Sequence, residues 1–141
     1  MRIGYNGKKF RGYQKQKGIE RETVEGTLKV AIDEALIAAG RTDKGVSAIS
    51  QVVNFITTSD SISPEDYLGA IRSLPESQAG HLQVYEIARV PRKFNARSQA
   101  TWRRYLYLFP INKSETGVQD VDVEFVDRCL RRLEHRKLDY N

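Results

Sequence analysis

The chain has 141 residues, enough for one ordinary domain or for one domain and the opening of another. Forty per cent are hydrophobic, which argues for a packed core rather than disorder, and no stretch approaches the roughly 18 apolar residues that a membrane span needs. The formal charge is +5, and the single cysteine, Cys129, excludes an intrachain disulfide and any cysteine-based zinc site. With only His81 and His135 besides, no tightly held transition metal is expected. Met1 leads directly into an apolar, strand-like segment, with no signal or transit peptide at the start; the single cysteine fits a reducing, intracellular compartment, which is left unspecified.

The placing of the charge says more than its size. Met1 to Lys17 carries Arg2, Lys8, Lys9, Arg11, Lys15 and Lys17 without an acid, and Arg89 to Arg104 carries Arg89, Arg92, Lys93, Arg97, Arg103 and Arg104 without one. A single such run usually means solvated surface. Two runs interleaved with Tyr13, Phe94, Trp102 and Tyr105 favour a face for nucleic acid.

In chain order, Arg2 to Tyr5 reads as a short strand ending at the Asn6-Gly7 turn, and Lys8 to Gln16 as a basic loop or second short strand. Thr23 caps an expected helix whose apolar face is Val24, Leu28, Ala31, Ile32, Ala35 and Leu36, with Gly40 as its stop. After the polar loop from Gly40 to Gly45, Ile49 to Thr58 has strand composition. Ser63-Pro64-Glu65-Asp66 is a helix start, Tyr67, Leu68, Ile71 and Leu74 are its buried side, and Pro75 ends it. Leu82 to Val90 and Thr101 to Phe109 alternate as strands, the second with Arg103, Tyr105 and Tyr107 on one face. Pro110 to Gln119 reads as a linker. Asp122 to Lys137 reads as an amphipathic helix, with Val126, Cys129, Leu130 and Leu133 inward and Cys129 a small buried apolar residue. The order implies an α+β domain, with a mainly antiparallel sheet, helices on one face and the other face open. The expected division is 1–109 for this domain and 110–141 for a linker and the first helix of a second.

Ala39 to Ala48 reads AGRTDKGVSA, placing Asp43 in a glycine-bounded loop between Arg41 and Lys44. An aspartate before Lys-Gly is more often a turn residue. The rival reading is that the two cations keep Asp43 ionised and draw a phosphodiester to its side. The residue types alone leave both open.

This loop resembles the signature of the TruA family of pseudouridine synthases, and other motifs follow in the family's order. They are Tyr5-Asn6-Gly7, Phe10 and Gly12-Tyr13-Gln14-Lys15-Gln16, then Thr23 to Leu28, Gln51-Val52-Val53-Asn54-Phe55 and Leu74-Pro75. Phe94-Asn95-Ala96-Arg97 and Arg104-Tyr105-Leu106-Tyr107 complete the set, so the resemblance covers about residues 3–110. It implies a ferredoxin-like half of a synthase fold and conversion of uridine to pseudouridine in tRNA, at the anticodon stem and loop, without a cofactor or a membrane. It implies Asp43 as the catalytic carboxylate and Arg41 as the group that fills the space of the flipped base. Tyr105 would pack on that base, and Lys44, Arg97, Gln14 and Arg104 would contact substrate RNA; Tyr107 is as readily core. A homodimer is implied for a full-length chain. Two departures accompany the match. Several residues of the family's strand before the catalytic loop look missing, by deletion, divergence or a gap in the chain, since the expected helix runs nearly into the loop, and the family's C-terminal half is missing. Such a chain would be a catalytically incomplete RNA-binding fragment, which is also the alternative reading of its function. A zinc deaminase is excluded by the single cysteine.

Overall fold

The computed structural model describes residues 1–59, 61–108 and 121–136. The chain divides into two compact units, Met1–Trp102 and Arg103–Asn141.

The first unit is an α+β structure on a four-stranded antiparallel sheet of order β2-β3-β1-β4. The strands are β1 (Arg2–Tyr5), β2 (Ile37–Ala38), β3 (Ala48–Asn54) and β4 (Leu82–Glu86). Alternation sends Ile3 and Tyr5 of β1, Val53 of β3, and Leu82 and Val84 of β4 into one core. Helices α1 (Val24–Ala31) and α2 (Pro64–Arg72) close that core with Val24, Leu28, Tyr67 and Ile71, and Leu74 follows α2. Each helix starts as its residues dictate. The Thr23 side chain accepts from the Gly26 N–H, and Ser63 and Asp66 satisfy each other's backbone N–H groups in a capping box ahead of Pro64. Pro75 opens a further short helix, α3 (Pro75–Gln78).

Several boundaries differ from the sequence reading. Helix α1 stops at Ala31, not near Leu36, and Ile32 turns extended and buries completely. The four residues that follow bring Ile37 and Ala38 back alongside Asn54 and Val53. A strand does precede the loop, in the two residues Ile37 and Ala38. Ladder bonds to β3 outweigh the helical propensity of the Ala-Leu-Ile-Ala-Ala stretch. Strands β3 and β4 end at Asn54 and Glu86, short of the expected Thr58 and Val90, and the basic stretch after Tyr5 opens with a 3-10 turn over Gly7–Lys9.

The largest correction concerns Thr101 to Phe109. Residues 101–108 are exposed and adopt no regular structure, and Phe109 lies outside the described residues, as does the expected linker. Alternation makes a strand only where a partner edge supplies the ladder, and this stretch is not a strand of the sheet.

In the second unit α4 (Val123–Arg131) is shorter than Asp122 to Lys137, capped by the Asp122 side chain at the Phe125 N–H, with Lys137 outside the described residues. Phe125, Leu130 and Leu133 are more than half exposed, and Cys129 is exposed rather than buried. An amphipathic stripe buries only where another element meets it, and among the described residues of this unit none does so.

Candidate active site

A cleft of about 480 Å³ opens between two loops, with Arg11, Gln14 and Gln16 on one wall and Arg41, Asp43 and Lys44 on the other. Both walls are fixed by backbone bonds. The first comprises residues 11–16, which run across the N-terminus of α1. Four N–H groups are free at the start of any helix. Here the Gly12 and Tyr13 carbonyls accept from the Val24 and Glu25 N–H groups at 3.2 and 2.9 Å, and the Lys15 N–H donates to the Glu25 carboxylate at 2.7 Å.

The second wall is the connection from β2 to β3. The Ala39 N–H donates to the Val52 carbonyl at 2.8 Å, extending the ladder to the edge of the loop, and the Gln51 amide donates to the Gly40 carbonyl. Beyond Asp43 the chain turns back through Gly45, at φ +86°, and the Val46 N–H donates to the Asp43 carbonyl at 3.2 Å. The walls are tied together at Thr42. Its carbonyl accepts from the Tyr13 N–H at 2.9 Å, and its hydroxyl shares a 2.9 Å hydrogen bond with the Tyr5 hydroxyl. Gly12, at φ +105°, brings the first wall this close: a Cβ on it would stand 3.4 Å from the Thr42 carbonyl. Gly7 plays the same part on the far side of the loop. Its N–H donates to the Ser47 hydroxyl at 2.9 Å, and a Cβ on it would overlap the Val46 carbonyl.

Asp43, Arg41, Lys44 and Gln14 are all exposed. The ion pairs among the described residues are Arg2–Glu86, Arg11–Glu22, Arg128–Glu124 and Arg131–Asp127, so Asp43 is not clamped by either neighbouring cation. An untied carboxylate on the rim of a basic, solvent-filled cleft is free to meet an incoming group, and the surrounding cations favour a polyanion there. Arg11 and Gln16, which sequence reasoning placed only in the basic run and in a motif, line the cleft as well.

Arg97 does not line this cleft. Arg97 is exposed in the turn after Phe94, which a buried bond anchors to the end of β3: the Ala96 N–H donates to the Asn54 side-chain oxygen at 2.8 Å. Asn95 holds the turn by accepting from the Arg97 and Ser98 N–H groups. Arg104 and Tyr105 belong to the second unit, where both are exposed and not part of a strand. Among the described residues no group of His, Cys, Asp and Glu could hold a metal ion, and no helix is long and apolar enough to cross a membrane.

Beneath the cleft Tyr5 and Tyr13 are buried, and burial raises the pKa of both phenols above the ordinary value of 10.0. The fold thus prefers the neutral rings. Their contribution to stability is complete below the ordinary value and is lost as pH climbs past it, because the unfolded chain releases protons that the folded chain keeps. Alkaline titration followed by phenolate absorbance and circular dichroism should therefore show these two tyrosines ionising only as the fold is lost. Their ionisation with a native spectrum intact would contradict the burial.

Fold and cleft together define an α+β chain that presents a free carboxylate within a positively charged loop pair. No protein-family model matches the sequence. Among curated proteins it is 34% identical over 144 residues to tRNA pseudouridine synthase A of Pseudoalteromonas atlantica, covering 93% of this chain and 53% of that protein. It is 38% identical over 110 residues to that of Cronobacter sakazakii (75% and 39%) and 36% identical over 121 residues to that of Dictyoglomus thermophilum (82% and 48%). By this similarity the chain belongs to the tRNA pseudouridine synthase A family. It spans about half, or less, of the length of the relatives it matches.

Proposed function

We propose that this chain carries the catalytic aspartate of an isomerase that converts uridine to pseudouridine in tRNA, at the anticodon stem and loop. The observation that carries the reading is Asp43, exposed on the rim of the cleft and untied by any ion pair among the described residues, with Arg41 and Lys44 on the same wall. The relatives' shared name supports the reaction and the substrate class.

The reaction breaks the bond from C1′ to N1, turns the base, and joins C1′ to C5. A proton leaves C5 and one is gained at N1, so nothing is oxidised or reduced and no cofactor is required. A carboxylate suits this sequence because it can add to base or sugar and leave again. The uridine must first leave its stack, at a cost of a few kcal/mol. Arg41 filling the vacated space and Tyr105 packing on the extruded base offset that cost, while Lys44, Gln14, Arg97 and Arg104 contact the RNA around it.

A second reading is favoured by one fact, the coverage of about half of each relative or less. Residues 1–141 by themselves are then a catalytically incomplete RNA-binding piece, and the complete pocket, working as a homodimer, needs the remainder of the relatives' length. Release of tritium from tRNA labelled at C5 of uridine measures the reaction directly, since that hydrogen is the one lost. The longest polypeptide its gene encodes is expected to release it and residues 1–141 alone are not. Robust release by residues 1–141 would show that no further wall is needed, and none from either would sink the isomerase reading.

A further inference from the structure

The face of the sheet away from the helices carries Arg2 and Gly4 of β1, Val52 of β3, and Gln83 and Tyr85 of β4. Register places them together: Arg2 opposes Val52 and Gly4 opposes Gln83, while Ile3, Val53 and Val84 point the other way into the core. The hydroxyl end of Tyr85 reaches over β1 at the one residue without a side chain. A Cβ on Gly4 would stand 2.5 Å from the Tyr85 hydroxyl oxygen and 3.1 Å from the ring carbon that bears it. The Arg2 guanidinium sits over the ring, 4.9 Å from its centre. Tyr85 nevertheless keeps 36% of its surface exposed.

Covering a strand glycine with an aromatic side chain is a packing device in its own right, and it accounts for Tyr85 reaching over Gly4. It does not account for an arginine stacked above. Arg2 also has a carboxylate partner, Glu86, but that bond is 3.5 Å long between side chains 44% and 64% exposed. Such an exposed pair is worth little and yields easily to a phosphodiester.

We propose that Arg2 and Tyr85 form a stacking platform for one unpaired base of the bound RNA, on the open face of the sheet and separate from the Asp43 cleft. The inference rests on the reading of the chain as RNA-facing. A guanidinium over an aromatic ring presents a cationic surface beside a π-face, which fits a nucleobase with a phosphate beside it better than it fits an apolar protein segment. The acid-free run from Met1 to Lys17, to which Arg2 belongs, supplies the matching charge. Val52 opposite Arg2 extends the platform with an apolar edge.

The test compares a fluorescein-labelled single-stranded oligouridine with a strand of equal length that has abasic riboses, by anisotropy at low salt. Tyr85→Leu keeps an apolar cover over Gly4 but removes the stacking surface. It is expected to weaken oligouridine binding about tenfold and to leave the abasic strand unchanged. Equal oligouridine affinity for the wild-type chain and Tyr85→Leu overturns the platform, and so does a wild-type chain that binds both strands alike or neither. A measurement on the unaltered protein covers the case of a variant that does not fold. Photocrosslinking of a 5-bromouridine strand should map to Tyr85, and adducts found only elsewhere overturn the proposal. Failure here leaves the chemistry at Asp43 standing, because tritium release reads that separately. Conversely, an active Asp43→Asn variant would sink the isomerase reading while Tyr85→Leu still decided the platform.

Discussion

Asp43→Asn, in the longest polypeptide the gene encodes, is expected to lower pseudouridine formation by at least about a thousandfold while tRNA affinity stays within about threefold. Asparagine matches the shape of aspartate but cannot serve as the nucleophile or hold its negative charge. The binding surface should survive, because the loop depends on backbone bonds and on Thr42, not on the Asp43 side chain. The Asp43 main-chain carbonyl still accepts from Val46, and the Thr42 carbonyl and hydroxyl still hold Tyr13 and Tyr5. If anything, affinity should rise slightly, since one negative charge is removed from a surface that meets phosphates. Tritium release and a filter-binding titration on the same preparation separate the two effects. Turnover above a tenth of the wild-type value would remove Asp43 from the chemistry, and a parallel collapse of affinity would recast it as a structural turn residue.

Gly7→Ala is expected to produce the largest loss that reaches both stability and site. The space that an alanine methyl needs is occupied by the Val46 carbonyl, with the Gly45 carbonyl carbon close behind, and both are backbone atoms that cannot swing aside as a flexible side chain does. Relief requires the 43–47 loop to move away from the Gly7–Lys9 turn, which also stretches the bond from the Gly7 N–H to Ser47. Overpacking of this kind costs about 2–3 kcal/mol. For a unit of this size that lowers the melting temperature by roughly 10–20 °C. Because the displaced loop is the one that carries Asp43, a shift of about 1 Å should also lower turnover by about a hundredfold. Ser47→Ala, which removes the side-chain bond and adds no bulk, is expected to cost only about 1 kcal/mol. Melting curves for the two variants check the comparison, and equal stabilities would show that the close approach at Gly7 is relieved at no cost.

What could be read along the chain was whatever depends on neighbours in sequence. The helix starts at Thr23 and Ser63 were legible because each cap is a bond to a backbone N–H three residues on. The α+β class followed from the alternation of β1, β3 and β4 and from the apolar faces of α1 and α2. The motif around Asp43 marked it as the candidate carboxylate, and the structure leaves its side chain exposed. What only the tertiary structure decided depends on partners distant in sequence. The helical-looking stretch before Gly40 gives way to β2 because the edge of β3 offers it a ladder. The alternating stretch from Thr101 forms no strand among the described residues, and the stripe on α4 that contains Cys129 is exposed, with no facing element among the described residues of its unit. The cleft has the same origin, since Gln14 and Asp43 come together only through the bonds of Tyr13 and Tyr5 to Thr42. Propensity and capping act within a turn of chain, whereas ladders, burial and the meeting of two loops are settled by which surfaces the whole fold brings into contact.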